Sequence, residues 1–205
     1  MRGKIIISAL LMSLMPGLAI GDEPSPLAAG EILRGDFVQE RVLQGFDAPL
    51  RSEGTFVLAP GRGLIWQTKK PFVVTTLMTE QGLAQQSNGA TTLNLPASRA
   101  PIMAGLYDML SGALAGDWSG LETDFVVERS EADGKWQLLL KARNAGANAA
   151  MPVTQIHLSG GVFVDEVEIE KQGGDLDRLI FNGQKRETSA LTDDEKALLD
   201  TVGKP

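Results

Sequence analysis

Leu50-Arg-Ser-Glu-Gly-Thr-Phe-Val-Leu-Ala-Pro-Gly-Arg-Gly-Leu-Ile-Trp-Gln-Thr-Lys-Lys-Pro-Phe-Val-Val-Thr-Thr-Leu-Met-Thr79 decides the fold class of this chain. Three runs rich in β-branched, aromatic and aliphatic residues are separated by Pro60-Gly61 and by Lys69-Lys70-Pro71. Within them apolar and polar positions tend to alternate, the period of a strand with one face buried. The breaks are too short for crossover connections, so neighbouring runs pair as antiparallel hairpins. Upstream, Phe37-Val-Gln-Glu-Arg-Val-Leu43 reads as a further strand. Downstream, Gln81-Gly82 turns into a short strand at Leu83 to Gln86.

The second half repeats this grammar. Strands are expected over 123–129, 135–143, 153–158, 164–170 and 176–181, with Ala132-Asp133-Gly134 as a hairpin turn. Two helical exceptions flank the sheet: a short helix over 27–33, and a C-terminal helix opened by the capping box Thr192-Asp-Asp-Glu195. Pro101 to Gly116 breaks the strand pattern altogether. Met103, Leu106, Leu110 and Leu114 recur at helical spacing, and Asp108 is the only charge. A surface helix normally carries a charged face, so this one leans on apolar surface from more than one side. Gly105, Gly112 and Gly116 loosen it. The expected fold is mainly β with an α lid: a curved antiparallel sheet forming an open half-barrel covered by short helices. Such a sheet cannot fill its own concave face, and an apolar helix laid over it closes a pocket suited to an acyl chain.

Arg2 and Lys4 precede an apolar run from Ile5 to Leu18, broken by Pro16-Gly17 and followed by the small residues Ala19 and Gly21. This reads as a cleavable secretory signal over 1–21, with one domain over 22–205. The run is shorter than the roughly 20 residues a bilayer span needs. The chain has no cysteine, so disulfides and thiolate metal sites are excluded. Its net charge is −7; cleavage removes two of the 19 basic residues and none of the 26 acidic ones, leaving −9. That charge disfavours nucleic acid and anionic membrane surfaces as partners.

Catalytic chemistry is thin. His157 is the only histidine, sits mid-strand, and has no nucleophile elbow anywhere in the chain. Glu166, Glu168 and Glu170 share one strand face, either a docking strip for a basic partner or, more commonly, a solvated outer face. Asp193, Asp194 and Glu195 suit the first turn of a helix without any catalytic role. Pro60-Gly-Arg-Gly63 is a turn rather than a phosphate loop. Trp66 reads as a ligand anchor or as a core residue, the second being the commoner use. No enzyme activity and no cofactor are expected.

In order and spacing, Phe37-Val-Gln-Glu-Arg, Ser52-Glu-Gly-Thr-Phe56, Ala59-Pro-Gly-Arg-Gly-Leu-Ile-Trp66, Lys70-Pro71-Phe72 and Glu80-Gln-Gly82 resemble the amino-terminal half of the LolA family of periplasmic lipoprotein carriers. The helix beginning at Pro101-Ile-Met103 is similar to that family's lid, and Asp117-Trp118 to the Asp-Trp that follows it. The resemblance implies a periplasmic, monomeric carrier that takes acylated cargo from an inner-membrane donor complex to an outer-membrane acceptor. It implies a cavity lined by Phe37, Phe56, Leu58, Leu64 and Trp66 on the sheet and by Ile102, Met103, Leu106 and Leu110 on the lid. The family has an Arg directly before the Pro, tethering the lid; here that position is Ala59, and Arg62 is the candidate latch. The alternatives are a lipid-sensing module of the same fold, or an extracytoplasmic hydrolase, which the lone His157 argues against.

Overall fold

The computed structural model describes residues 26–99, 110–118, 121–123, 125–143 and 153–204. The expected signal at 1–21 and most of the expected lid, 101–109, lie outside the described residues. Eleven strands form one sheet: β1 Ile32–Val42, β2 Leu50–Ala59, β3 Gly63–Lys70, β4 Val74–Thr79, β5 Gly82–Ser87, β6 Ala90–Pro96, β7 Phe125–Ala132, β8 Lys135–Ala142, β9 Val153–Gly160, β10 Val164–Lys171 and β11 Leu176–Glu187. Their spatial order is β6-β5-β4-β3-β2-β1-β11-β10-β9-β8-β7, and every pairing is antiparallel. Two meanders, β1–β6 and β7–β11, are therefore joined by the pairing of β1 with β11. Strands β6 and β7, neighbours in sequence, sit at opposite edges of the sheet.

Consecutive side chains point to opposite faces of a strand, and both faces of this sheet carry a core. Leu33 and Phe37 of β1, Phe56 and Leu58 of β2, and Leu64 and Trp66 of β3 join residues of β8 to β11 in one contiguous buried cluster. A single cluster fed by strands from both meanders requires the sheet to curve around it, so this is the inner, concave face of the curved open sheet. Ile32, Ala59, Ile65, Leu77 and Ala84 point the other way and pack with Leu191, Leu199 and Val202 of the C-terminal segment. Gly63 to Trp66 is buried at every position because β3 is covered on both sides, which explains its continuous apolar run.

The expected helix over 27–33 is not formed. Glu31 N donates to Ala28 O at 3.0 Å, closing a turn through Gly30, and β1 begins at Ile32. Ile32 and Leu33 enter different cores on opposite faces, which adjacent residues achieve in a strand and not in a helix. Strand β6 was not expected, although Asn88-Gly89 turns into it with φ of 50° and 78°, the signature of a tight two-residue hairpin. Asp133-Gly134 does the same between β7 and β8, as expected, with φ of 54° and 71°. Strand β11 runs to Glu187, beyond the expected end at residue 181, because Ile32–Arg34 of β1 pairs with Lys185–Glu187.

The C-terminal helix Asp193–Leu199 forms as expected, and its capping box has a second function. Glu195 N donates to Thr192 Oγ1 at 3.2 Å, and Thr192 N donates to Glu195 Oε2 at 2.9 Å. The same carboxylate accepts both Arg34 Nη groups, with Nη2 to Oε2 at 2.9 Å, while Arg34 Nε reaches Glu187 Oε2 at 3.0 Å. Glu195 thus caps its helix and ties it to the outer face of β1. The bond from Arg34 lowers the Glu195 pKa to about 2 from an ordinary 4.5, against the opposing effect of burial. A carboxylate with a lowered folded pKa adds stability that is complete above its unfolded value and is lost as pH falls towards the folded one. Glu195→Gln is therefore expected to lose about 1–2 kcal/mol at neutral pH, after allowance for solvent screening. It should also flatten the loss of stability between pH 4.5 and 2. Urea midpoints across that range test this; identical pH dependence in both proteins would refute it.

Candidate functional site: the inner face of the sheet

The centre of the inner face is aromatic. Phe37 of β1 and Trp66 of β3 stack with ring centroids 3.8 Å apart, across the intervening β2. Only Gly54 lies opposite Phe37 on β2, and a residue without a side chain leaves room for that contact. Phe181 of β11 meets Phe56 edge-on at 5.5 Å and Trp66 at 6.1 Å. Leu58 and Leu64, cross-strand partners, extend this surface and are fully buried. All five sheet residues assigned to the cavity from sequence thus share one face.

What covers this face is the described end of the lid segment. Residues 110–115 are helical, and Leu110, Ala113, Leu114 and Ala115 pack on the inner cluster together with Trp118. Leu110 and Leu114 are one turn apart, so they share a helix face. Of the three glycines expected to loosen the helix, Gly105 lies outside the described residues, and Gly116 ends the helix. Asp117 N donates to Gly112 O at 2.9 Å and Gly116 N to Ala113 O at 3.2 Å, with Gly116 at φ 77°. This paired pattern with a left-handed glycine is a Schellman cap. Leu27 N donates to Ala115 O at 3.0 Å, fastening the segment to the residues before β1. Trp118 lies 4.9 Å from the Trp136 ring; Trp136 Nε1 donates to Gly161 O at 2.6 Å, whereas the buried Trp118 Nε1 has no hydrogen-bond partner among the described residues.

Ile102, Met103 and Leu106 lie outside the described residues. Arg62, in the β2–β3 turn, has its ion-pair partner in Asp200 behind the C-terminal helix, Nη2 to Oδ1 at 3.6 Å, with both side chains more than half exposed. His157 stands between the buried Ile156 and Leu158 and so points from the outer face, in register with Leu139 and Glu168. Of the three glutamates on β10, Glu166 and Glu168 are taken by Arg178 of β11, at 3.0 and 2.6 Å. No three His, Asp or Glu side chains among the described residues converge as a metal requires.

Sequence reasoning missed two features. On the outer face, a polar cleft of about 460 Å³ lies between the sheet and the C-terminal helix, lined by Arg34, Asp36, Gln67, Lys185, Glu195 and Leu198. On the inner face, polarity changes along the strands. Phe37, Gln39 and Arg41 of β1 lie in register with Phe181, Leu179 and Asp177 of β11. Leu179 and Asp177 lie in turn beside Val167 and Ile169 of β10, with Lys171 two residues further on. Three adjacent strands thus run from apolar to charged in step. Asp177 is 7% exposed and takes Arg41 Nε at 2.8 Å and Lys171 Nζ on its two oxygens. The signal was available: Asp177 is a charge at the inward-facing period of Leu179 and Phe181.

These features define a lidded open half-barrel with an aromatic inner face. The chain belongs to the family of outer membrane lipoprotein carrier protein LolA-like proteins, whose model matches residues 25–202, and it is a divergent member. No curated protein matches it by sequence. Among solved structures it is similar to a LolA superfamily protein from Nitrosomonas europaea, at 10% identity and TM-score 0.44, covering 85% of this chain and 92% of that one. It is also similar to a chain of the MucA/MucB complex of Pseudomonas aeruginosa, at 14% identity and TM-score 0.46, covering 82% of this chain and 56% of that one. LprF from Mycobacterium bovis matches at 12% identity and TM-score 0.36, over 80% of this chain and 89% of that one.

Proposed function

We propose that this chain is an exported, monomeric carrier that binds the acyl chains of lipoproteins or lipids against its inner face and moves them from the inner towards the outer membrane. In this reading the signal is 1–21, the working unit is a single domain over 22–205, and its site of action is the periplasm. An inner-membrane donor complex loads it and an outer-membrane acceptor empties it. Membership of a family described by a lipoprotein carrier supports the cargo class. The observation that carries the proposal is one buried cluster in which the aromatic patch of Phe37, Phe56, Trp66 and Phe181 is joined by Leu110, Ala113 and Leu114 of a capped helical segment. In a water-soluble fold most of a helix's stability comes from the packing of its apolar face, so this segment depends on the packing beneath it. An acyl chain that replaces that packing can take its place at a small free-energy difference, as loading and release both demand. Phe37, Phe56, Leu58, Leu64 and Trp66 form the floor of the cavity, with Leu110, Ile102, Met103 and Leu106 as its cover and Arg62 as a candidate latch.

Purified protein is expected to bind a neutral naphthylamine fluorophore, to lose it on addition of long-chain amphiphiles, and to carry an acyl species when extracted gently from the periplasm and weighed by native mass spectrometry. Protein that neither binds the fluorophore nor co-purifies with an acylated molecule would defeat this reading. Hydrolysis of esters in a broad activity screen would revive the enzyme alternative.

A further inference from the structure

We infer that Arg41 and Lys171 form a headgroup site for an anionic amphiphile, fixing the direction in which cargo lies along the inner face; this rests on the acyl-binding reading above. Arg41 and Asp177 are directly paired across β1 and β11, and Lys171, at the end of β10, reaches the same carboxylate. Two cations share one carboxylate, so the cluster keeps a net positive charge. The buried carboxylate uses Arg41 Nε and one Nζ hydrogen of Lys171. A guanidinium has five N–H donors and an ammonium three, so both Arg41 Nη groups and two Lys171 hydrogens are left over. No other partner for either side chain occurs among the described residues. The Arg41 side chain is 46% exposed and that of Lys171 28%, so the spare donors are reachable. Asp177, held by both, sets where they point. Guanidinium and ammonium groups with free donors recognise phosphate and carboxylate oxygens through charge-assisted hydrogen bonds.

The spacing suits an amphiphile. Phe37 and Arg41 are four residues apart on one strand, roughly 13 Å at about 3.3 Å per residue. A ligand with its anionic head at Arg41 and Lys171 lays its chain over Leu179 and Ile169 towards Phe37, Phe181 and Trp66. The reverse orientation puts a charge in the aromatic cluster, which is costly. Cargo therefore enters tail first and leaves its head at the charged end.

The test uses displacement of the neutral fluorophore by dodecyl phosphate, dodecanoate and dodecanol, which share a chain and differ in head. Both anionic amphiphiles are expected to displace it at about tenfold lower concentration than dodecanol, about 1.4 kcal/mol. Lys171→Gln and Arg41→Gln should each erase most of that advantage while leaving dodecanol unchanged, and Arg41→Lys should retain it. Inorganic phosphate is expected to leave the fluorophore in place and to bind the native protein no better than Lys171→Gln. Tight binding of inorganic phosphate that disappears in Lys171→Gln would make this a free-anion site and overturn the amphiphile assignment. Equal displacement by all three amphiphiles would overturn the headgroup site and leave the carrier reading intact. Failure of the fluorophore and all three amphiphiles to bind would overturn both.

Discussion

Trp66→Ala is expected to lower stability by about 3–5 kcal/mol, the range for removing a large buried aromatic, and to weaken acyl-probe binding by at least tenfold. Trp66 is 8% exposed and touches three aromatic rings contributed by three other strands. Its loss leaves a hole where β1, β2, β3 and β11 meet. In a chain of this size that cost corresponds to a fall in melting temperature of about 10 °C or more. Trp66→Phe separates the two effects, since it keeps a stacked ring against Phe37 and removes only part of the volume. It should recover most of the stability and part of the affinity. Paired thermal unfolding and fluorophore titrations decide. An alanine variant that melts with the native protein would show that the ring is not packed as described. One that binds the probe normally would show that the acyl chain lies elsewhere.

Gly54→Ala is expected to be at least as disruptive, for a backbone reason. A Cβ at this position of β2 would lie 1.9 Å from Gln67 O, 2.8 Å from Gln67 C and 2.9 Å from Thr68 Cα. All three atoms belong to the main chain of β3, so no side chain can swing aside to make room. The ladder is already irregular here: Glu53 pairs with Lys70 while Gly54 pairs with Thr68. Any side chain must push β2 and β3 apart two residues from Phe56 and its partner Trp66, and must crowd the gap through which Phe37 reaches Trp66. A loss of about 3 kcal/mol or more follows, the upper end for overpacking. Amide exchange along β2 and β3 should accelerate well beyond that in the second meander. A Gly54→Ala protein with native urea midpoint and native exchange would refute the close approach.

The two faces of this sheet were unequally legible in the sequence. The inner face announces itself in Phe37, Phe56, Leu64 and Trp66, placed at period two within runs bounded by glycine and proline. The outer core is harder to see. Ile65 lies between two inward residues and reads as part of one apolar run, because nothing local says that a second layer covers β3. That layer is the C-terminal helix, more than a hundred residues away, and its docking depends on Arg34 meeting Glu195. The capping box was legible because its partners are three residues apart. Its tie to β1 was not, because it depends on a contact across the whole chain.

By itself the sequence determined every described strand of the two meanders but β6, the hairpin at Asp133-Gly134, the capped C-terminal helix, the absence of thiol chemistry and the resemblance to a lipoprotein carrier family. These follow from residues at most a few positions apart, where periodicity, turn chemistry and capping act. Only the tertiary structure decided that β1 pairs with β11, which joins the two meanders and puts β6 and β7 at opposite edges. It also turned Ile32 from a helix residue into a strand residue with a core on either side, and it assembled Arg41, Asp177 and Lys171 at one end of the inner face. Those outcomes rest on pairings between residues far apart in the chain, and a pairing register is set by which two faces bury together, a quantity that no single stretch of sequence contains.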